Sequence, residues 1–290
     1  MTAIEPRPFL KSAGGKSALA QQIIERFPAD WDHEKDLYVE PFLGGGAVFF
    51  ALQPVRALLY DANADLVNAF WSVQNIVEGV IQELDGLVAG YRASKDPKGW
   101  YLDAREVLNS RRGAEHERAA LYIFVNKTCF NGLYRVNSKG LFNTPWGHNP
   151  KAGFPSADHL RACSALLNSK WVQIKEAPFG MLPSRTGWAP WGHMGKVVVY
   201  ADPPYMPTSK TSDFTAYTAD GFTYADQLRL LVRAVEWRNQ GAHVILSQAA
   251  DESLIDQYRR CGFTCDLVQA RRNINSKGSR RGPVGEYILY

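Results

Sequence analysis

Residues 36–62 read DLYVEPFLGGGAVFFALQPVRALLYDA. Leu37 to Val39 form an apolar, β-prone run that Pro41 breaks, and Gly44 to Gly46 lead into a helical stretch from about Ala47 to Leu52. A second apolar run, Ala57 to Tyr60, ends on Asp61. Strand, glycine loop, helix, and strand ending in an acid make one half of a doubly wound α/β unit, whose ligands bind at the carboxyl ends of the strands. Position 49 is Phe, so the Gly-x-Gly-x-x-Gly dinucleotide fingerprint fails. The glycines still permit close backbone approach to a ligand, although a purely structural turn explains the loop alone equally well. Asp61, 17 residues beyond Gly44, stands where a carboxylate accepts ribose hydroxyls. Loop and acid together favour an adenosine-containing cofactor.

The same rhythm returns later in the chain. "WVQIKEA", "KVVVYA", "AHVILSQ", "FTCDLVQA" and "GEYILY" read as strands, and "YADQLRLLVRAVEWRNQG" and "SLIDQYRRCG" as helices between them. Between about 84 and 170 it lapses into a polar segment, partly helical in "REVLNS" and "ERAALYIFV", then dense in Asn, Gly, Lys and aromatics. The economical division is a cofactor-binding α/β domain from 1–83 and 171–290, with 84–170 inserted. Near the N-terminus a helix is expected over 16–27, "KSALAQQIIERF", ended by Pro28. It follows Gly15-Lys16-Ser17, the tail of a phosphate-binding loop, but the first glycine of that motif would fall on Leu10. Pro6 and Pro8 also interrupt the strand such a loop requires, so a triphosphate site is disfavoured.

At 290 residues, 46% of them hydrophobic, the chain can bury a large core. It has no apolar run of membrane-spanning length and no signal-peptide pattern, which predicts a cytoplasmic protein. Cys129, Cys163, Cys261 and Cys265 form no Cys-x-x-Cys pair, so reduced structural thiols are expected rather than a zinc site. The net charge of +4 is modest, but Arg271, Arg272, Lys277, Arg280 and Arg281 occur with no acid between Asp266 and Glu286. Such a run is a solvated loop or a phosphate clamp.

"VVVYADPPY", 197–205, delivers Asp202 to the end of a buried strand, and two prolines stiffen the turn after it. The Asp202 carboxylate and Pro203 carbonyl form an acceptor pair suited to an exocyclic amino group, and Tyr205 offers a ring to stack on a base. The plainer alternative is a strand end with Tyr205 in the core.

These stretches occur in an order that resembles the Dam-type (class alpha, D12) DNA N6-adenine methyltransferases over nearly the whole chain. "FLKSAGGK" resembles the family's N-terminal cofactor motif, "VEPFLGGGAVF" its glycine motif, and "YDAN" its ribose-binding acid. "NKTCFNGLYRVNSKGLFNTPWG" is similar to its recognition hairpin and "DPPY" to its catalytic motif, with "FTAYTADGF" and "RRNINSKGSRR…GEYILY" completing the set. The resemblance implies a Rossmann-like S-adenosyl-L-methionine-dependent fold carrying a mainly helical target-recognition insertion with a β-hairpin. It implies methyl transfer to N6 of a flipped-out adenine in duplex DNA, S-adenosyl-L-homocysteine as product, no metal, and a bacterial, nucleoid-associated monomer or homodimer.

By resemblance, catalysis falls to Asp202, Pro203, Pro204 and Tyr205. The cofactor falls to Ser12, Ala13, Gly14, Lys16, Glu40, Phe42, Gly44, Gly46, Asp61 and Asp202. DNA contacts fall to Lys11, to Phe130 as a wedge, and to Asn131, Leu133 (against a thymine methyl), Arg135, Asn137 and Asn143. Arg271, Arg272, Arg280 and Arg281 are expected on phosphates. The chain departs from the family at Ser12, where an aromatic is usual, and at "LSQAAD", 246–251, in place of Ser-Asn-x-Asp. It departs again at His148 and Asn149, where GATC readers carry a basic residue and an aromatic. No Pro-Cys dipeptide supports cytosine-C5 chemistry, an N4-cytosine enzyme tends to have Ser at 202, and RNA or protein enzymes more often show Asn-Pro-Pro-Tyr. The remaining rival is a catalytically silent DNA-binding protein on the same fold.

Overall fold

A computed structural model describes residues 4–12, 16–182, 195–205, 222–271 and 283–290. Among these residues, seven strands form one sheet: β1 (Leu37–Glu40), β2 (Arg56–Asp61), β3 (Trp171–Glu176), β4 (Val197–Ala201), β5 (His243–Ala249), β6 (Cys265–Arg271) and β7 (Pro283–Leu289). Their order is β3-β2-β1-β4-β5-β7-β6. The first five run parallel, while β7 lies antiparallel between β5 and β6. All four residues of β1 and all five of β4 are buried, as expected of central strands covered on both faces.

Side-chain alternation sorts the strands into two cores. Tyr38, Val198, Tyr200, Ile245 and Ile288 face one side, packed with α1 (Ala20–Ile24), α2 (Ala47–Leu52) and α3 (Ala64–Asn75). Leu37, Val39, Val197, Val199 and Leu246 face the other, under α8 (Tyr224–Asn239) and α9 (Glu252–Arg260). The first core runs on without a break into α4 (Val77–Ala93), α5 (Pro97–Ser110), α6 (Glu115–Thr128) and α7 (Ala157–Leu167). Helix α6 buries every residue from Ala119 to Asn126, the mark of a helix enclosed on all sides. Asn63, Asp96 and Ser156 cap α3, α5 and α7 with their side chains, satisfying N–H groups that the first turn leaves unpaired.

The helix expected over 16–27 is shorter than the sequence suggests. A 3-10 turn covers Lys16–Ala18, α1 occupies Ala20–Ile24, and Arg26 and Phe27 close the end with bonds of 3.1 and 3.0 Å to carbonyls three residues back. This tightening before Pro28 is the usual way a short helix satisfies its last carbonyls. Phe9 anchors the N-terminal segment: it is fully buried between Phe50 and Phe70, with ring centroids 6.2 and 4.7 Å away. Burial of one such ring contributes roughly 1.5–3 kcal/mol. Among the described residues, no helix is long and apolar enough to cross a membrane.

Candidate active site

The strand order reverses between β1 and β4, and at such a switch point the carboxyl ends of the strands open a crevice. Glu40 ends β1 on one side of it and Asp202 follows β4 on the other. Gly44 (φ 48°) and Gly46 (φ 69°) adopt left-handed conformations that side chains rarely take. Ser12 packs against this loop, 3.2 Å from where a Cβ on Gly45 would stand. Asp61 fixes the loop from beneath, accepting the Gly44 N–H at 2.9 Å through one oxygen and the Asn63 N–H at 2.9 Å through the other. Burial pushes the Asp61 carboxyl up, and these N–H bonds oppose the shift. Glu40 is only 3% exposed; burial drives its carboxyl well above the ordinary range, and a 3.0 Å bond from the Tyr38 hydroxyl counters this. Phe42 forms a half-buried triangle with Phe179 and Phe222, ring centroids 5.5, 6.0 and 5.8 Å apart.

Lys16 reaches into the crevice. It is 5% exposed, and its Nζ lies 3.0 Å from Asp202 Oδ1 and 3.1 Å from Glu286 Oε1. It also sits 4.7 Å from the centroid of the Tyr205 ring. The Tyr205 hydroxyl donates to Glu286 Oε1 at 2.5 Å. Burial pulls the Lys16 ammonium down, but Asp202 and Glu286 outweigh it and leave its pKa raised. Burial raises the Asp202 carboxyl; Lys16 works against that shift and the charge of Glu286 adds to it. Two acids therefore share one cation in a partly dry site, and Asp202, 23% exposed, is the acid that faces the crevice. The turn is braced from behind. Gln227 of α8, fully buried, donates to the Pro204 carbonyl at 3.1 Å, and Gln248 of β5 donates to Gln227 at 2.9 Å.

Lys11 and the hairpin meet on the α6 side. Asn126 clamps the Lys11 backbone, accepting its N–H at 2.7 Å and donating to its carbonyl at 2.8 Å, while Lys11 Nζ donates to the Lys127 carbonyl at 2.8 Å. Lys11 lies over Gly132, where any Cβ would collide with it. The hairpin is a pair of isolated antiparallel bridges, Val136 with Phe142 and Cys129 with Trp146, rather than continuous strands. Phe130 is 36% exposed, and the neighbouring Asn131 is exposed in a left-handed conformation (φ 55°). Arg135 Nε donates to Asn143 Oδ1 at 2.7 Å and its Nη2 to the Asn143 carbonyl at 3.2 Å. Asn137 Oδ1 closes the hairpin turn, accepting from the Lys139 and Leu141 N–H groups at 2.9 and 3.1 Å.

Leu133 differs from expectation: it is only 7% exposed, its carbonyl tied to the Thr144 hydroxyl at 2.8 Å, so its side chain packs the hairpin instead of facing outward. Asp202 to Tyr205, Lys16, Glu40, Phe42 and Asp61 gather at the sheet edge; Lys11, Phe130, Asn131, Arg135, Asn137 and Asn143 gather on the insertion side. Ala13, Gly14, Arg272, Arg280 and Arg281 lie outside the described residues, and Arg271 closes β6 opposite Pro283. Sequence reasoning missed Glu286, Gln227, Gln248, Phe179 and Asn126. The "LSQAAD" departure pointed near Gln248, and Asn126 opens the hairpin motif, but no local pattern marked the others.

Residues 12–274 match the family described as D12 class N6 adenine-specific DNA methyltransferase. The chain is 36% identical to the type II methyltransferase M.MjaIII of Methanocaldococcus jannaschii, over 96% of each chain. It is 33% identical to the type II methyltransferase M1.LlaDCHI of Lactococcus lactis subsp. cremoris, over 99% of this chain and 95% of the relative. It is 32% identical to a DNA adenine methylase of Vibrio cholerae serotype O1, over 97% of this chain and 95% of the relative. A sheet with an acid-lined switch point, an Asp-Pro-Pro-Tyr turn and a match of this extent lead to one conclusion: the chain belongs to the D12 class of N6-adenine DNA methyltransferases.

Proposed function

We propose that Asp202 and the Pro203 carbonyl accept the two N–H groups of an adenine flipped out of a short duplex site, with Tyr205 as its stacking platform. The placement of Asp202 at the switch point, partly exposed and backed by Lys16, carries this reading. The lone pair on adenine N6 is delocalised into the ring, so acceptors aimed at its hydrogens localise it, and these bonds strengthen as positive charge develops on nitrogen. A stacked base cannot reach a strand end, which is why flipping is required.

Methyltransferase membership implies S-adenosylmethionine, and the residues fit it: a half-buried triangle of Phe42, Phe179 and Phe222 suits a purine, and an acid-rich edge suits a cation. When bound, the cofactor supplies a methyl group already activated on a sulfonium, so the reaction calls for no metal. Gly44 and Gly46 allow close approach, Ser12 and Glu40 line the same edge, and Asp61 both holds the loop and offers acceptors to ribose hydroxyls. By family resemblance Ala13 and Gly14 also serve the cofactor, and Pro204 stiffens the turn.

Segment 84–170 acts as the target-recognition unit on double-stranded DNA. Phe130 fills the gap left by the flipped base, Arg135 reads a guanine, and Lys11, Asn131, Asn137 and Asn143 border the groove. Arg271, Arg272, Arg280 and Arg281 contact phosphates, which position without specifying. The enzyme works in the cytoplasm, as a monomer or homodimer. Expression in a host free of adenine methylation, followed by mapping of modified bases, tests this reading: one short motif methylated on adenine is expected, and an unmodified genome would sink it.

A further inference from the structure

Glu286 has no part in the scheme above, yet it touches two of its members. It is 8% exposed on β7, and one of its oxygens, Oε1, receives both the Tyr205 hydroxyl at 2.5 Å and Lys16 Nζ at 3.1 Å. Topology explains how it arrives there. A parallel strand presents its last residues to the ligand edge, whereas β7 runs the other way and brings its middle residue, Glu286, to that level. Glu286 pairs with Ala249, the last residue of β5, and therefore stands at the level of the catalytic turn.

The charge arrangement poses a problem that Glu286 resolves. An adenine N–H accepted at Asp202 Oδ1 competes for that oxygen with Lys16, which already sits 3.0 Å from it. A buried ammonium left without an anion is costly, so a site with Asp202 alone would resist the exchange. A second carboxylate already bonded to Lys16 holds the cation while Asp202 turns to the base. Its bond to the Tyr205 hydroxyl also fixes the ring on which the adenine stacks. We propose that Glu286 is a positioning residue of the catalytic centre, holding Lys16 and Tyr205 so that Asp202 can exchange its ammonium partner for the amino group of the incoming adenine. This rests on the catalytic reading of Asp202 given above.

Among the described residues, the groups facing Asp202 are Lys16 from the N-terminal turn, Glu40 and Tyr38 from β1, Tyr200 from β4, Tyr205 from its own turn, and Glu286 from β7. Catalysis requires Asp202 ionised, so the rate falls with pH as Asp202 takes up a proton. Glu286 raises that carboxyl, so removing its charge moves the acid limb to lower pH.

The test is Glu286→Gln, isosteric and still able to accept both bonds, assayed for single-turnover methylation of an adenine-containing duplex across pH. The expected result is a rate lowered by about tenfold or more at neutral pH, a KM for DNA within about twofold, and an acid limb displaced downward. A wild-type acid limb in this variant, whatever its rate, overturns the proposal. A crystal structure of the wild-type protein with the duplex tests it without any variant. Lys16 Nζ should remain within about 3.2 Å of Glu286 while its distance from Asp202 exceeds about 4 Å; retention of Lys16 on Asp202 and its departure from Glu286 overturns the idea. The wild-type enzyme in the same assay reports separately on the underlying reading, which fails if no adenine is methylated.

Discussion

The sheet edge and the hairpin hold their functional side chains by opposite means. At the edge, Asp202 and Tyr205 are pinned by partners from elsewhere in the fold: Lys16 from the N-terminus, Glu286 from the last strand, and Gln227 behind the turn. In the hairpin, Arg135 bonds to Asn143 across the same loop, and Asn137 bonds to its own turn. The edge is therefore preorganised by long-range buried contacts, whereas the Arg135 and Asn137 side chains are held locally, on a hairpin that α5 anchors through Asn109 to Phe142 and Tyr101 to Thr144. Chemistry demands the first, because acceptors must be aimed before the base arrives. In the proposed reading, sequence recognition is served by the second, because Arg135 would exchange its hydrogen bonds to Asn143 for a guanine edge at little cost.

Substitutions can break this contrast, and Asp202→Ala should show the largest effect. A loss of about 10²–10³-fold or more in methyl transfer is expected, with duplex affinity held within a few fold in a mobility-shift assay. Arg135→Ala should reduce discrimination by about 1–3 kcal/mol at one guanine of the site, read from competition among single-base variants, while transfer to the best sequence stays measurable. Gln227→Leu leaves the Pro204 carbonyl and the buried Gln248 amide without their partner, and denaturant unfolding should show a loss of about 1–3 kcal/mol. Asn137→Ala removes bonds in a half-buried turn and should cost about 1 kcal/mol or less, with catalysis on saturating DNA preserved. Should Asn137→Ala impair turnover more than Gln227→Leu, the division into a locked edge and a locally built reader would be wrong.

The two regions also differ in how much the sequence disclosed. Glu40, Asp61 and Asp202 were legible because each stands at the end of an apolar run, a placement that follows from strand geometry alone. The glycines were legible because the turn after β1 needs left-handed conformations. Glu286 was not legible, since its position depends on β7 entering the sheet in reverse between β5 and β6, and periodicity carries no strand direction. Gln227 was hidden for a related reason: a lone glutamine in an amphipathic helix looks solvent-facing until the neighbouring Gln248 is seen across the core. Lys16 was legible only as a cofactor residue at the tail of a failed phosphate-loop motif, and its long side chain carries the charge to Glu286, near the other end of the chain. Leu133 shows the converse error, an apolar residue expected at the surface that the hairpin uses as its own core.

The central claim is that the Asp202 turn directs methyl transfer to the amino group of adenine. Labelled methyl transfer from S-adenosylmethionine to duplex DNA, followed by digestion to nucleosides, tests it most directly. Label confined to N6-methyldeoxyadenosine with the wild-type chain, and absent with Asp202→Ala, is the predicted result. Label in N4-methyldeoxycytidine, or undiminished label in the Asp202→Ala protein, would contradict it.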